Sequence, residues 1–426
     1  MHPRADRLDV YYGSDLVGAV HDSAPLAFEY APGWLGTSGG HQRMSLAAIP
    51  LHAGRQAGPE VQAFFENLLP EGELRDYLAA QRKASTLFSL LLAVAGDTAG
   101  AFVLVAPGEP PEPPEPPRYV ATSWAAIAAI LAKRSASAID IHEQGARISL
   151  AGAQDKTSLA IFDDGVPRLP KGTSPSTHIL KPSIRRLAQV WHSAANEAIV
   201  MRAAALAGLP TAEVFYEPHT EACVIRRFDR QLRPDGTLAR LVQYDLCQLA
   251  GTLSDRKYEK EGGPGLAACA ELVRRYSTQP AVDLRHLVRW VFFNLYVGNN
   301  DSHAKNLSIY SLPGQGATLT KFYDLMCTRL YPGLSPEFAF AIGGEVRPGE
   351  ISAEHLALMA RQLGMQPRFL AQQAREMADR VPAAIGQAAR DVAPALTPSA
   401  RTLAERLVRF VASTTKKLAA RITPAT

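Results

Sequence analysis

A short polar stretch between two apolar segments constrains this chain more than any other feature of its sequence. Residues 287–297 are rich in Val, Phe, Leu and Trp, as expected of a buried helix, and residues 307–310 are typical of a short strand. Between them lie Asp301, His303 and Asn306. A loop this polar between two buried elements must be fixed by its own hydrogen bonds or by a ligand. The sequence therefore predicts a functional loop at this position.

The spacing inside this loop is that of a phosphoryl-transfer motif. Asp301 and Asn306 stand as D-x-x-x-x-N, the separation at which a protein kinase places its catalytic base and a magnesium-binding Asn. Downstream, Asp324 follows the pair Phe322-Tyr323, where a second metal-binding carboxylate belongs, and hard oxygen ligands suit Mg²⁺ that bridges phosphates. The competing interpretation is that Asp301 and Asn306 only cap a turn, and the spacing alone does not separate the two.

The residues around this spacing resemble a known family. Residues 298–309, Gly-Asn-Asn-Asp-Ser-His-Ala-Lys-Asn-Leu-Ser-Ile, resemble the catalytic loop of the HipA family of bacterial toxin kinases. Residues 322–324 resemble its metal-binding segment, and residues 147–157 and 171–182 are similar to two further segments of the family. The resemblance extends from about residue 8 to about residue 390.

The resemblance implies an α+β fold of the two-lobed, protein-kinase-like (HipA-like) type, with an N-terminal β-rich subdomain and a large helical C-terminal lobe. The predicted division has four parts: the N-terminal subdomain at 1–106, a Pro-rich linker at 107–118, the nucleotide-binding part of the kinase core at 119–240, and the helical lobe with the catalytic loop at 241–426. The linker region has seven prolines and three glutamates within residues 107–117, which predicts an extended polyproline-II connector.

Local patterns predict the main elements. Short alternating runs separated by Gly, Asp, Ser and Pro predict strands at 8–12, 16–20, 26–30 and 44–51. Apolar periodicity predicts helices at 188–206, 352–363, 367–380, 382–392 and 398–420, with Pro382 separating two of them. Residues 243–265 and the Gly- and Pro-rich residues 325–344 are expected to border the substrate cleft.

The resemblance assigns several residues to ATP. One segment corresponds to the loop that covers the ATP phosphates in the family, and it consists of Ala151, Gly152, Ala153, Gln154, Asp155, Lys156 and Thr157. Small residues followed by Lys and Thr can offer backbone N–H groups to phosphate. Lys181 ends a predicted strand and is expected to pair with the α- and β-phosphates. Glu197 follows 16 residues later, where a helix glutamate would orient that Lys, although a solvated helix face is the alternative. Phe228 lies in a hinge-like segment expected to contact adenine, in which Arg226 replaces the Glu usual in the family.

The same resemblance gives the loop residues their roles. Asp301 is expected to orient and deprotonate the acceptor hydroxyl, and Asn306 and Asp324 are expected to hold Mg²⁺. His303 is expected to brace the loop, and Lys305 to contact the γ-phosphate. The serine of the family's 147–157 segment is an autophosphorylation site, which corresponds to Ser149 in this chain. A phosphate there adds nearly two negative charges, which we expect to expel the phosphate loop and switch activity off.

The implied partners are proteins and, through one of them, DNA. They are a HipB-like helix-turn-helix antitoxin, operator DNA contacted mainly through that antitoxin, and a substrate among translation components such as an aminoacyl-tRNA synthetase. The basic residues at the C-terminal end fit either a solvated helix face or proximity to DNA or the antitoxin: Arg401, Arg406, Arg409, Lys416, Lys417 and Arg421. A net charge of +4 is compatible with phosphate-bearing ligands without indicating nucleic acid.

The rest of the sequence is typical of a cytoplasmic protein. The four cysteines show no C-x-x-C spacing, which predicts reduced and mostly buried thiols. Residues 1–9 lack the apolar core of a signal peptide. No apolar run approaches the roughly 18 residues that suggest a membrane span.

Two other functional classes stay open. A non-catalytic co-repressor would bind the antitoxin without chemistry, but the intact Asp301, Asn306, Asp324 and Lys181 argue against it. A small-molecule phosphotransferase would use the same Asp, Asn and Asp set. The segment around Ser149 favours the toxin kinase over this second alternative.

Overall fold

A computed structural model describes residues 5–36, 46–94, 98–109, 111, 117–133 and 154–423. The chain divides into two compact units. The first comprises Met1–Leu180 and Asp229–Asp255, and the second comprises Lys181–Phe228 and Arg256–Thr426. The four-part division predicted from the sequence stays a prediction.

The first unit begins with an antiparallel five-stranded sheet in the order β4-β3-β2-β1-β5. Its elements are β1 (Arg7–Tyr12), β2 (Asp15–His21), β3 (Ala27–Tyr30), α1 (Pro32–Leu35), β4 (Arg55–Ala57), α2 (Pro59–Glu66), α3 (Gly72–Arg82), α4 (Leu87–Val94) and β5 (Phe102–Val105). The first three predicted strands are confirmed. Phe28 of β3 packs against Phe65 of α2 at 5.8 Å between ring centroids, so α2 covers one face of the sheet.

The predicted strand at 44–51 is wrong. Residues 46–51 form a turn, in which Ala47 has a φ of 51°. The hydroxyl of buried Tyr30 accepts a hydrogen bond from the Leu46 N–H at 2.8 Å and donates one to the Ile49 carbonyl at 3.0 Å. The turn closes around this hydroxyl, which satisfies backbone groups that a strand would have to pair with a neighbouring strand.

A second sheet completes this unit. Its elements are β6 (Tyr119–Ala121), α5 (Trp124–Leu131), β7 (Thr157–Ile161), β8 (Pro167–Pro170) and β9 (His178–Pro182). The strands lie in the order β6-β8-β7-β9 with antiparallel neighbours. The chain enters the second unit at Lys181, the fourth residue of β9.

The chain then contributes three elements to the second unit: α6 (Ser193–Leu206), β10 (Val214–Glu217) and β11 (Ala222–Arg226). The four elements that follow belong to the first unit: β12 (Arg230–Leu232), β13 (Leu238–Arg240), β14 (Gln243–Asp245) and α7 (Leu246–Ala250).

The start predicted for α6 at residue 188 is five residues early, because His192 takes a left-handed conformation with a φ of 51°. Tyr244 stacks on Phe102 at 6.1 Å between ring centroids, so it contributes to packing in the first unit.

The second unit continues with α8 (Leu266–Tyr276), α9 (Pro280–Val297), β15 (Ser308–Leu312), β16 (Gly316–Leu319), α10 (Ala353–Gln362), α11 (Pro367–Val392) and α12 (Pro398–Ile422). Both α6 and α9 pack against α11. The break predicted at Pro382 is wrong, since α11 runs through it. A proline inside a helix costs about 3 kcal/mol, and the buried Val381, Ala384 and Ile385 keep the apolar face continuous.

Two further expectations concern burial and membranes. All four cysteines are buried free thiols, as predicted. Within the ranges that the structure describes, every helix is too short or too polar to cross a bilayer.

Candidate active site

The polar loop begins where α9 is forced to end. Gly298 has a φ of 75°, and a Cβ atom there would lie 2.8 Å from Cε1 of Phe410, so both backbone and space require glycine. The next residue, Asn299, donates its N–H to the Asn294 carbonyl at 2.9 Å and its Nδ2 to Asn294 Oδ1 at 2.8 Å. The helix end therefore fixes the direction in which the loop leaves.

Further hydrogen bonds fix the body of the loop. Asn300 donates its N–H to Thr328 Oγ1 at 2.8 Å and its Nδ2 to the Ser335 carbonyl at 3.0 Å. Ala304–Asn306 form a single 3₁₀ turn, and Asn306 Nδ2 donates to the Asp301 carbonyl at 3.2 Å. This bond fixes the orientation of the Asn306 amide through its nitrogen. The side-chain oxygen is then available to bind a cation.

The proposed base is exposed, and a tyrosine contacts it. Asp301 is exposed, whereas His303, Lys305 and Asn306 are buried. The Tyr258 hydroxyl donates to Asp301 Oδ1 at 2.5 Å, and the Tyr258 ring lies edge-on to His303 at 5.1 Å. The sequence predicts for Tyr258 only a position in the segment that borders the substrate cleft. Its contact with Asp301 spans 43 residues, and no local pattern signals it.

Burial favours the neutral form of the His303 imidazole. Burial lowers its pKa well below the usual 6.5, the Lys257 cation lowers it further, and the Asp324 carboxylate opposes both. Its Nδ1 has no hydrogen-bond partner among the residues that the structure describes. A buried neutral ring fits the predicted bracing role, which stays a prediction.

Lys181 binds two carboxylates in the second unit. Its Nζ lies 2.7 Å from Glu197 Oε1 on α6 and 2.6 Å from Asp324 Oδ1. The side chains of Lys181 and Glu197 are 7% and 2% exposed, and that of Asp324 is 40% exposed. Burial alone would lower the pKa of Lys181, but the two carboxylates outweigh it and raise that pKa, so the ammonium stays charged. The expected pairing of Glu197 with Lys181 is confirmed.

The segment that carries Asp324 is held from both sides. Phe322 is buried and stacks on Trp290 of α9 at 5.8 Å. Its N–H donates to the Pro210 carbonyl at 2.7 Å, and its carbonyl accepts from the Ala212 N–H at 2.9 Å. Asp324 then has a φ of 58°, a left-handed conformation that Asp and Asn tolerate better than most residues.

Tyr323 and Phe228 connect this segment to the loop. The Tyr323 hydroxyl hydrogen-bonds Ser308 Oγ at 2.8 Å and donates to the Lys305 carbonyl at 3.2 Å. Phe228 is half-buried, with its ring centroid 5.6 Å from that of Tyr323 and 6.0 Å from that of Tyr310. The structure thus brings Phe228, the Asp324 segment and the loop together. Arg226, the departure from the family pattern, pairs with Glu213 at 3.1 Å on the surface.

The predicted phosphate-binding segment lies in the first unit and is described only in part. Gln154 and Asp155 are half-buried just before β7, while Lys156 and Thr157 are buried. Thr157 begins β7 opposite Leu180 of β9. Ser149, Ala151, Gly152 and Ala153 lie outside the described residues. Their roles stay predictions.

The residues present fit Mg²⁺ that is shared with phosphate. Asn306 offers one amide oxygen and Asp324 one carboxylate, and Mg²⁺ in kinases is held by such a pair together with phosphate oxygens and water. In the described ranges, no group of three or more His, Cys, Asp or Glu side chains forms that could hold a metal by itself. The donor set therefore suits a nucleotide-bound cation.

Known domains and proteins match most of the chain. Residues 8–105 match the HipA N-terminal domain, and residues 148–385 match the HipA-like C-terminal domain. The putative kinase Y4mE of Sinorhizobium fredii is 34% identical over 405 residues, which are 92% of this chain and 94% of that protein. The serine/threonine-protein kinase toxin HipA of Shewanella oneidensis is 29% identical over 354 residues, which are 80% of this chain and 79% of that protein.

A solved structure agrees in fold. It is the complex of the Shewanella oneidensis MR-1 toxin–antitoxin proteins HipA and HipB with their operator DNA. The match has a TM-score of 0.76 at 27% identity, and it covers 97% of this chain and 96% of that chain. The likeness confirms the predicted α+β, protein-kinase-like fold class.

Proposed function

The chain belongs to the HipA family, and from this premise we propose that it is a serine/threonine-protein kinase that transfers the γ-phosphoryl group of ATP to a protein hydroxyl. The observation that carries this proposal is the buried Lys181 ammonium held between Glu197 and Asp324. A permanently charged lysine beside a metal-binding carboxylate is what a site needs to bind the phosphates of Mg·ATP.

The chain's own groups would carry out the transfer. Asp301 would accept the proton of the acceptor hydroxyl while the hydroxyl oxygen bonds to the γ-phosphorus and the bond to ADP breaks. Lys181 would neutralise charge on the α- and β-phosphates, and Lys305 on the γ-phosphate. Asn306 and Asp324 would hold Mg²⁺, which when bound supplies charge neutralisation at the β- and γ-oxygens. Phe228 would contact adenine.

Regulation and partners extend the proposal. The segment Ala151–Thr157 would cover the phosphates, and autophosphorylation of Ser149 would expel it and stop the reaction. The relative solved with HipB and operator DNA supports a HipB-like antitoxin as partner, with DNA contacted mainly through it. The substrate would be a translation component, such as an aminoacyl-tRNA synthetase, in the cytoplasm. Its phosphorylation would arrest growth.

Expression in a bacterial host tests this function. The parent chain and an Asp301→Asn variant are induced to equal soluble levels, and growth and the phosphoproteome are compared. We expect the parent to arrest growth and to phosphorylate Ser149 and a translation component, and the variant to do neither. Arrest by both chains would contradict kinase chemistry and favour the co-repressor. Growth arrest that depends on Asp301 without any new phosphoprotein would favour a small-molecule acceptor.

A further inference from the structure

A tyrosine hydroxyl contacts the carboxylate that the phosphate acceptor must reach. Tyr258 donates a hydrogen bond to Oδ1 of Asp301 at 2.5 Å. In the proposed reaction, a serine or threonine hydroxyl donates its proton to this same carboxylate. Tyr258 therefore makes the contact that an acceptor hydroxyl makes.

The loop around Tyr258 is built to hold the ring in that place. A Cβ atom on Gly263 would lie 2.1 Å from the Arg256 carbonyl oxygen, so the loop closes tightly on itself and needs glycine there. The next residue after the tyrosine, Glu259, accepts a hydrogen bond from the Ala341 N–H at 2.8 Å. After it, Lys260 pairs with Glu337 at 3.3 Å. Neighbours of Tyr258 thus fasten the loop to a second segment, residues 337–341.

Ser335, which lies just before this second segment, contacts the catalytic loop. Asn300, the residue before Asp301, donates its Nδ2 to the carbonyl of Ser335 at 3.0 Å. The two segments predicted to border the substrate cleft, residues 243–265 and 325–344, therefore both contact the loop next to its base. An incoming polypeptide that reaches Asp301 would therefore meet Tyr258 and the exposed Ser335 together.

The contact is placed so that it can be exchanged. Asp301 is exposed and Tyr258 is half-buried, so their hydrogen bond is open to solvent. The Tyr258 ring rests edge-on against His303 at 5.1 Å, which positions the ring without enclosing it. An acceptor hydroxyl can replace the phenol at the carboxylate without unfolding a core, since no fully buried side chain has to leave.

We infer that Tyr258 occupies the acceptor-hydroxyl position and acts as a specificity-determining positioning residue, which a serine- or threonine-bearing polypeptide segment displaces and water does not. This inference rests on the proposed kinase function. By holding Asp301, the phenol keeps the base from activating water, so ATP is conserved until a polypeptide occupies the cleft. The ligand class is a polypeptide, because the exposed Ser335 beside the loop gives the acceptor a contact beyond Asp301 itself.

ATP hydrolysis without a protein substrate tests the inference. Phosphate release from Mg·ATP is measured for the parent chain, Tyr258→Phe, Asp301→Asn and the control Tyr296→Phe. Tyr296 also donates its hydroxyl in a hydrogen bond, to the Ala374 carbonyl at 2.9 Å, but it is buried in the helical part of the same unit. We expect Tyr258→Phe to raise hydrolysis roughly tenfold, the scale of one hydrogen bond to a charged group. The KM for ATP and the Tyr296→Phe rate should stay at the parent values.

A second readout uses a protein acceptor. Dephosphorylated casein serves as a generic serine-bearing probe, and Tyr258→Phe should lower its KM several-fold while kcat changes little. Tyr258→Phe values equal to the parent's, or a loss of kcat, would overturn the inference and leave Tyr258 as a brace for Asp301. If Asp301→Asn phosphorylates casein as fast as the parent does, the kinase function itself fails and the inference falls with it. Dependence of the parent on Asp301 together with an unchanged Tyr258→Phe sinks the inference alone.

Discussion

Lys181 and Asp324 form an ion pair in which Nζ lies 2.6 Å from Oδ1. The lysine expected to bind phosphate thus already contacts the carboxylate expected to bind Mg²⁺, while Glu197 holds it from the other side at 2.7 Å. The two partners differ in burial, because Glu197 is enclosed and Asp324 is accessible. We expect phosphate to replace the contact with Asp324 and to leave the contact with Glu197 in place, since the accessible partner is the easier one to exchange.

Removing the lysine should destabilise the second unit. Lys181→Met leaves the Glu197 carboxylate buried without its ammonium partner, which we expect to cost about 3–5 kcal/mol in the free energy of unfolding. The double variant Lys181→Met/Glu197→Leu should recover most of that loss but no ATP turnover. Urea denaturation measures the first effect and phosphate release the second. A single variant as stable as the parent would show that the pair is not structural.

Asp324→Asn should remove the carboxylate charge without disturbing the backbone conformation. Asn tolerates the φ of 58° at this position, so the free energy of unfolding should change by less than about 1 kcal/mol. ATP turnover should fall about a hundredfold or more, because the carboxylate that we propose holds Mg²⁺ is lost. Calorimetric titration of ATP with and without Mg²⁺ should show that the metal no longer strengthens binding. Undiminished Mg²⁺ dependence would rule out Asp324 as a metal ligand.

Asn196 should be essential to the packing beneath the site. It lies on α6, fully buried, where it donates to the Cys327 carbonyl at 3.1 Å and accepts from the Cys327 N–H at 2.9 Å. Asn196→Ala leaves both backbone groups buried without this partner, at about 1–3 kcal/mol for each group. The exposed Gln387→Ala serves as the control and should change stability by less than about 0.5 kcal/mol. Equal effects in thermal or urea unfolding would show that burial of Asn196 does not decide its cost.

Glu217 should make part of the stability depend on pH. Burial raises its pKa, but hydrogen bonds from Thr220 and His219 outweigh burial and lower the pKa below the usual 4.5. A carboxylate with a depressed folded-state pKa stabilises the protein above its unfolded pKa, and the contribution is lost as the pH falls through the folded value. The difference in unfolding free energy between the parent and Glu217→Gln should therefore shrink from roughly pH 6 to roughly pH 3. A difference in unfolding free energy that does not change with pH would show that the charge of Glu217 does not contribute to stability.

The features that could be predicted are those that depend on residues close together in the sequence. The helix before the loop and the strand after it follow from apolar patterning, and the pairing of Lys181 with Glu197 follows from a strand and a helix close in sequence. The turn at 46–51 could not be foreseen, because it depends on the Tyr30 hydroxyl across the fold. The helix through Pro382 depends likewise on its tertiary packing.

In the candidate site, too, some features can be predicted from the sequence and others cannot. The spacing of Asp301 and Asn306 is visible in the sequence, and the family resemblance gives it meaning. The contact of Asp301 with Tyr258 joins residues 43 positions apart and carries no periodic signal. No sequence pattern indicates the left-handed conformation of Asp324 either. It accompanies the hydrogen bonds that hold Phe322 to residues 210–212.

Transfer of labelled phosphate tests the central claim most directly. Purified parent protein and Asp301→Asn are incubated with Mg²⁺ and γ-labelled ATP, and any label is mapped by mass spectrometry. We predict label on Ser149 of the parent and none on the variant, because only the parent has the carboxylate that we propose accepts the hydroxyl proton. Equal labelling of both proteins, or no binding of ATP by an unphosphorylated parent, would contradict a kinase centred on Asp301.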